Sequence, residues 1–128
     1  TYSKTKEIEL KLLKDMALTG VVPATAAQVA DLGRAREALA AVKADTKALD
    51  ARIKSLGGVL ADLYAGIDLV DSVLEKTLTL DAHHKAPLLA DKGAAALEAL
   101  RAACDEAETH VEGAKWPFPK YREMLFLL

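Results

Sequence analysis

The chain has 128 residues, a net charge of −2 and a hydrophobic fraction of 52%. This length fits a single domain, and the mixed charges exclude a broad basic surface for nucleic acid or anionic lipid. The single cysteine, Cys104, excludes an internal disulfide and a cysteine-rich zinc site, and we expect a reducing, cytoplasmic compartment. No apolar run approaches the roughly 18 residues of a membrane span, so we expect no membrane insertion.

Residues 1–44 are predicted to form a first helical arm with a kink near Pro23. Ile8, Leu12 and Met16 recur at helical spacing and define one apolar face of its beginning. Pro23 lacks a backbone donor and its ring clashes with the preceding turn. This chemistry favours a bend between two collinear helices over a full reversal of the chain.

A long apolar seam runs from Leu32 to Leu74 in alternating steps of three and four residues, and only Thr46 interrupts it. That spacing is typical of a helix packed lengthwise against other helices. Leu69 and Val73 lie beside the seam and widen the apolar face. A widened face predicts contact with two partners, as in a helical bundle.

The chain must reverse somewhere along this seam. A single helix from Ala24 to Leu80 would be about 85 Å long at 1.5 Å per residue, and the flanking segments are too short to cover it. One candidate reversal is residues 43–46, where an Asp or a Thr could cap a new helix. The other is Gly57 with Gly58, which are stronger helix breakers. We favour the first, which predicts a middle helix over residues 46–80.

Residues 84–113 are predicted to form a third long helix, with Asp81 as a possible cap and Pro87 in its first turn. Its apolar stripe consists mostly of small side chains, so it should lie unusually close to its neighbour. The stripe comprises Ala90, Gly93, Leu97, Leu100, Cys104, Ala107, Val111 and Ala114. The predicted fold is therefore all-α: one domain over residues 1–128, an elongated antiparallel three-helix bundle.

Residues 114–128 are predicted to form a docking tail with a short terminal helical turn. Two prolines prevent a regular helix or central strand over residues 116–119. The tail holds too many apolar side chains to leave in water, so it should dock on the bundle, on another domain or on another subunit. The candidate docking residues are Trp116, Phe118, Tyr121, Leu125 and Phe126.

The polar clusters predict no catalytic, cofactor-binding or metal site. His83 and His84 follow Asp81, but adjacent histidines point in different directions on a helix and lack metal-binding spacing, so we interpret them as a solvated loop. Cys104 lies on the small-residue stripe with no base at matching spacing, which indicates a buried structural thiol.

The tail also carries the most specific sequence signal. Residues 116–126 closely resemble the C-terminal end of type III glutamine synthetases, a large bacterial and cyanobacterial class. Two softer matches occur in the same order. Residues 7–9 followed by 21–24 resemble the helical stretch after that family's catalytic domain, and residues 106–111 resemble its last long helix. Residues 42–80 match only in helical character.

The resemblance implies a non-catalytic role. The parent family joins glutamate and ammonia using ATP and divalent metals, and its ligands for these groups belong to a catalytic domain that no residue here matches. The resemblance thus implies a C-terminal helical domain that packs on its own catalytic domain or on neighbouring subunits of a homo-oligomer. Because the chain begins without Met at Thr1, we expect a fragment of such an enzyme.

Two other functions stay open at the level of sequence. A free-standing helical protein-interaction module would explain the apolar seam equally well. A reversible lipid-surface binder would explain the amphipathic helices, although the mixed charges lack the Lys and Arg bias of such helices.

Overall fold

The computed structural model describes residues 2–119, and within them every regular element is helical. The elements are α1 (Tyr2–Met16), a first π-helical turn (Ala17–Val21), α2 (Val22–Ala41), α3 (Lys47–Thr77), α4 (Ala82–Leu88), a second π-helical turn (Leu89–Gly93), α5 (Ala94–His110) and a 3₁₀ turn (Gly113–Lys115). Helix α3 contacts α2 and α5, and α1 contacts α3 and α5. With short connections, these contacts make three antiparallel arms, which confirms the predicted all-α bundle.

The first arm stays helical through Pro23. The first π turn contains Gly20, and Pro23 lies in the first turn of α2 immediately after it. A π turn widens the helix by one residue, which gives the proline ring room against the preceding turn. The hydroxyl of Thr25 donates to the carbonyl oxygen of Val21 at 2.7 Å within this region. The predicted bend site is therefore a π-helical turn.

Helix α1 buries a different apolar face from the one its sequence spacing indicated. Ile8, Leu12 and Met16 are exposed, whereas Leu10 is fully buried. The reason is the partner: Leu10 lies against the second π turn, where a Cβ built on Gly93 would be 3.6 Å from Leu10 Cδ1. Helix α1 thus has two apolar faces at helical spacing, and only one of them meets the bundle.

The reversal lies between Ala41 and Lys47, at the first of the two candidate positions. Helix α3 runs through Gly57 and Gly58 without interruption. The apolar seam consequently follows the core only in α3. In α2 the same period falls on an exposed surface, and Val42 is 75% exposed.

The end of α2 is a Schellman motif without glycine. The amide of Lys43 donates to the carbonyl of Ala40 at 3.0 Å, and that of Ala44 donates to the carbonyl of Leu39 at 2.9 Å. Lys43 has a φ of 62°, the left-handed conformation that this motif requires. Asp45 follows, and its Oδ1 accepts from the amide of Lys47 at 2.9 Å to start α3.

The third arm begins two residues earlier than predicted. Asp81 is the N-cap of α4, and its Oδ1 accepts from the amide of His84 at 3.0 Å. Pro87 therefore lies inside α4 and not in the first turn, which corrects the sequence expectation. The second π turn begins two residues after Pro87, and the first π turn ends two residues before Pro23. The first and third arms thus each combine one proline with one π turn.

Helices α3 and α5 approach each other closely, as the small side chains of α5 predicted. A Cβ built on Gly66 would lie 3.0 Å from Leu100 Cα and 3.1 Å from its Cδ1. Ala103 and Ala107 are buried along the same contact. The predicted stripe was too long, however, because Ala90 and Ala114 at its two ends are exposed.

We predict opposite effects for alanine at two glycines of α3. Gly66→Ala should lower the free energy of unfolding by about 1–2 kcal/mol, because the new methyl group meets the Leu100 backbone and overpacking outweighs the gain in helix propensity. Gly58→Ala should raise it by up to about 1 kcal/mol, since among the described residues nothing beyond its own turn of helix lies within 4 Å of the added Cβ. Chemical denaturation of both variants checks the pair, and equal effects would contradict the close contact.

Candidate functional site

The docking tail leaves α5 and returns along the first arm. Val111 is buried in an extended conformation, and the amide of Glu112 donates to Gln28 Oε1 on α2 at 2.9 Å. The 3₁₀ turn follows, and the chain then reaches Gly20 in the first π turn. The described part of the tail therefore runs antiparallel to the first arm.

Two aromatic side chains seat the tail on the bundle. The rings of Trp116 and Phe118 meet edge to face, with centroids 6.2 Å apart. Both are partly buried and pack against the hydrophobic core. A Cβ built on Gly20 would lie 3.1 Å from Phe118 Cζ and 3.2 Å from Pro117 Cγ. The first π turn thus presents its one residue without a side chain to the tail.

An ion-pair cluster anchors the same segment to α2. Lys115 Nζ lies 2.5 Å from Asp31 Oδ2 and 2.5 Å from Glu112 Oε2, and Asp31 also pairs with Arg34. The hydrogen bond from Lys115 lowers the pKa of Asp31, and the hydrogen bonds to Asp31 and Glu112 raise the pKa of Lys115. Glu112 and Arg34 are exposed and Asp31 and Lys115 are partly exposed, so solvent screens these pairs. We therefore assign the cluster to positioning the tail and not to stability.

A cavity of about 270 Å³ lies between the first arm, α5 and the tail. Its apolar lining includes Leu13, Met16, Cys104, Trp116 and Phe118. The charged side chains that also line it are Arg101, Asp105 and Glu108. The aromatic pair of the tail therefore forms one wall of an apolar recess with a charged boundary.

Cys104 is the only cysteine, and it lines this cavity. Burial, and secondarily the charge of Asp105, raises the pKa of its thiol to about 11. The thiol is therefore protonated near neutral pH, and a protonated thiol is a poor nucleophile and metal ligand. The sequence predicted a buried thiol, whereas Cys104 is only partly buried.

His83 and His84 lie in α4, apart from the segment where the tail contacts the first arm. His84 is exposed at the start of α4, and its Nδ1 is 2.8 Å from Asp81 Oδ1. The hydrogen bonds from the side chain and then the backbone of His84 lower the pKa of Asp81. Over residues 2–119, no three His, Cys, Asp or Glu side chains come together in an arrangement that could hold a metal ion.

The five candidate docking residues divide at Pro119. Trp116 and Phe118 lie together on the first arm, as described above. Tyr121, Leu125 and Phe126 lie outside the described residues, and so does the predicted terminal helical turn. For the part of the chain that the structure describes, no helix is both long and apolar enough to cross a bilayer.

Sequence reasoning missed the residues on the first arm that receive the tail. Gln28 is only 6% exposed, and its side chain binds the Glu112 amide. The predicted kink near Pro23 gave no contact role to Gly20, which lies three residues before it. A signal for Gln28 was present, because Thr25 and Gln28 continue the helical face of the apolar Val21 and Val22. A polar side chain on a buried face needs a partner, and the tail supplies it.

Comparisons of this chain with protein-family models, with curated protein sequences and with solved structures gave no match.

We predict that Trp116→Ala lowers the free energy of unfolding by about 2 kcal/mol, roughly half the cost of emptying a fully buried aromatic site. Chemical denaturation measures this change.

Phe118→Ala should shift the fluorescence of Trp116, the only tryptophan, to longer wavelength by opening the tail to water. Leu78→Ala is the control, because Leu78 is 83% exposed. A Trp116 spectrum unchanged by Phe118→Ala would show that the two rings do not support each other.

We predict that Cys104 resists alkylation in the folded chain. A pKa near 11 in place of 9.0 lowers the thiolate fraction about 100-fold near neutral pH, so iodoacetamide should react correspondingly slowly. The rate should climb as pH approaches 11, because the folded thiol titrates there. The same chain in denaturant is the control, and equal rates in both states would contradict the burial of Cys104.

Proposed function

We propose that this chain is a non-catalytic helical assembly domain, similar to the C-terminal region of type III glutamine synthetases. It would pack beside a cytoplasmic catalytic domain that joins glutamate and ammonia using ATP and a divalent metal. Its partners would be that catalytic domain or neighbouring subunits of a homo-oligomer. ATP and metal would bind to the catalytic domain, outside this chain.

One observation supports the proposal most directly. The stretches that carry the resemblance at the two ends of the chain lie against each other in the fold. Val21, from the first matched stretch, lines the same cavity as Trp116 and Phe118, from the last. Gly20, next to that first stretch, contacts Phe118. Matched segments that form one packed unit are expected where the shared feature is a structural domain.

The reading frame around Thr1 tests the proposal at the level of the gene. We expect the frame to continue upstream into a catalytic domain with the metal-binding glutamates of the family. A start codon directly before Thr1 would favour the alternative, a free-standing helical interaction module. The exposed side chains of Ile8, Leu12 and Met16 give that alternative its own support, because a stripe of this kind is a possible contact surface.

An activity assay tests the absence of catalysis that the proposal requires. The chain alone, with glutamate, ammonia, ATP and Mg²⁺, should release no phosphate above a buffer blank and form no glutamine. Measurable turnover by the purified chain would overturn the proposal. In the longer enzyme, deletion of this region should change the oligomeric mass measured by light scattering, since the proposed role is assembly. An unchanged mass would contradict that role.

A further inference from the structure

The outer surface formed by α3 and α5 faces away from the first arm and carries a regular pattern. Its α3 side presents residues at alternating steps of three and four, and its α5 side repeats the same steps. The α3 positions are Asp62, Ala65, Leu69, Ser72 and Lys76. The positions opposite them are Lys92 of the second π turn and Ala95, Ala99, Ala102 and Glu106 of α5. We call these ten positions the outer face.

The centre of the outer face is apolar and shallow. Leu69 is 51% exposed and lines the same shallow groove as several alanines of α5, including Ala99. Side chains as small as alanine let another helix approach closely, while a leucine beside them can enter a groove between two helices. Sequence analysis had predicted two partners for the widened stripe of α3. Val73 meets the core of the bundle, whereas Leu69 points outward from it.

The two ends of the outer face carry opposite charges. Asp62 and Glu106 lie together at one end, and Lys76 and Lys92 line the other. On each side of the outer face the acidic and basic positions are 14 residues apart, or about 21 Å at the α-helical rise. That distance exceeds the Debye length of about 8 Å at physiological ionic strength, so each end acts as a separate charged patch.

We infer that the outer face binds the outer face of a second copy of this chain, about a two-fold axis. Two such arrangements bring the faces together. An axis parallel to the helices would place acidic ends against acidic ends. An axis in the interface at right angles to the helices, at the level of Leu69 and Ala99, places each acidic end against the partner's basic end. The charges therefore select the second arrangement, in which α3 lies antiparallel to its own copy.

The small size of the face indicates a weak contact. A surface about 21 Å long and two helices wide buries on the order of 1,000 Å² in total, at the low end of specific interfaces. The dimer should therefore form in the micromolar range and not persist at nanomolar concentration. This contact does not depend on the proposed relation to glutamine synthetases, so it can be tested separately.

Paired charge variants of the full 128-residue chain test the arrangement. Asp62→Lys with Glu106→Lys makes both ends basic, and Lys76→Glu with Lys92→Glu makes both ends acidic. Each double variant alone should sediment as a monomer. An equimolar mixture of the two should form a heterodimer with the mass of the wild-type dimer. The quadruple variant exchanges the two ends and should dimerise again, because the complementarity is restored. All four positions are exposed, so circular dichroism should show unchanged helix content.

The central leucine has a matched control on the same helix. Leu69→Ser should weaken dimerisation at least about tenfold, because the apolar contact at the axis is lost. Tyr64→Ser should change it less than about twofold, since Tyr64 is 49% exposed but lies off the outer face. A wild-type chain that stays monomeric to roughly 500 µM, well above the range expected for this area, would overturn the inference. Double variants that dimerise separately, or that fail to pair when mixed, would also overturn it.

Discussion

The contact between Gly66 and Leu100 determines how the rest of the chain can pack. Gly66 belongs to α3 and Leu100 to α5, and a Cβ on Gly66 would lie 3.0 Å from the Leu100 backbone. Helices α3 and α5 therefore approach as closely as their side chains allow. Buried alanines continue the contact along α5, at Ala96, Ala103 and Ala107. Helices this close leave little volume between them for large side chains. The fully buried Leu10 of the first arm lies beside the second π turn at Gly93 and so fills space away from this close contact.

The first arm must cover this pair of helices, and its two local distortions help it to do so. The first π turn contacts α5, and the second π turn contacts α1, so each distorted turn lies against the opposite arm. Gly20 and Gly93 occupy the two π turns and leave space for side chains from elsewhere. Leu10 lies in the space at Gly93, and Phe118 lies in the space at Gly20. Proline, π turn and glycine thus act together in the first and third arms.

The sequence was sufficient for the architecture because hydrophobic spacing and helix-breaking residues are local properties. It predicted three arms, a reversal before the middle helix and a close third helix. The reversal was ambiguous because the decisive residue, Lys43, is not a type that favours positive φ, and its Schellman motif is visible only in the backbone. The burial of α1 was misassigned because two apolar faces occur on one helix. Only the position of the partner, Gly93 and its π turn, decides between Leu10 and Ile8.

The candidate site was predictable in part for a similar reason. Two prolines among aromatic residues mark a docking segment without any knowledge of the fold, so Trp116 and Phe118 could be selected. Their seat could not be predicted, because Gly20 and Gln28 belong to an arm far away in sequence. Gly20 contributes space, which no sequence spacing indicates. Gln28 contributes one acceptor, and its position on the buried face of Val21 and Thr25 indicates burial but not the partner. The role of Gly20 depends on the absence of a side chain, so it can be recognised only from the position of Phe118 in the folded chain.

The two sides of the α3 and α5 pair differ in what covers them. The inner side is covered by the first arm, and the tail lies against that arm at Gly20. The outer side repeats the three-and-four spacing of a packed helix, although the first arm lies on the opposite side. Exposed alanine alone would only reflect helix propensity. A half-exposed leucine at the centre and opposite charges at equal distances from it are not explained by propensity. These features fit a partner with an apolar centre and with charges of opposite sign at the matching ends. The outer face of a second copy, rotated by 180°, has both properties.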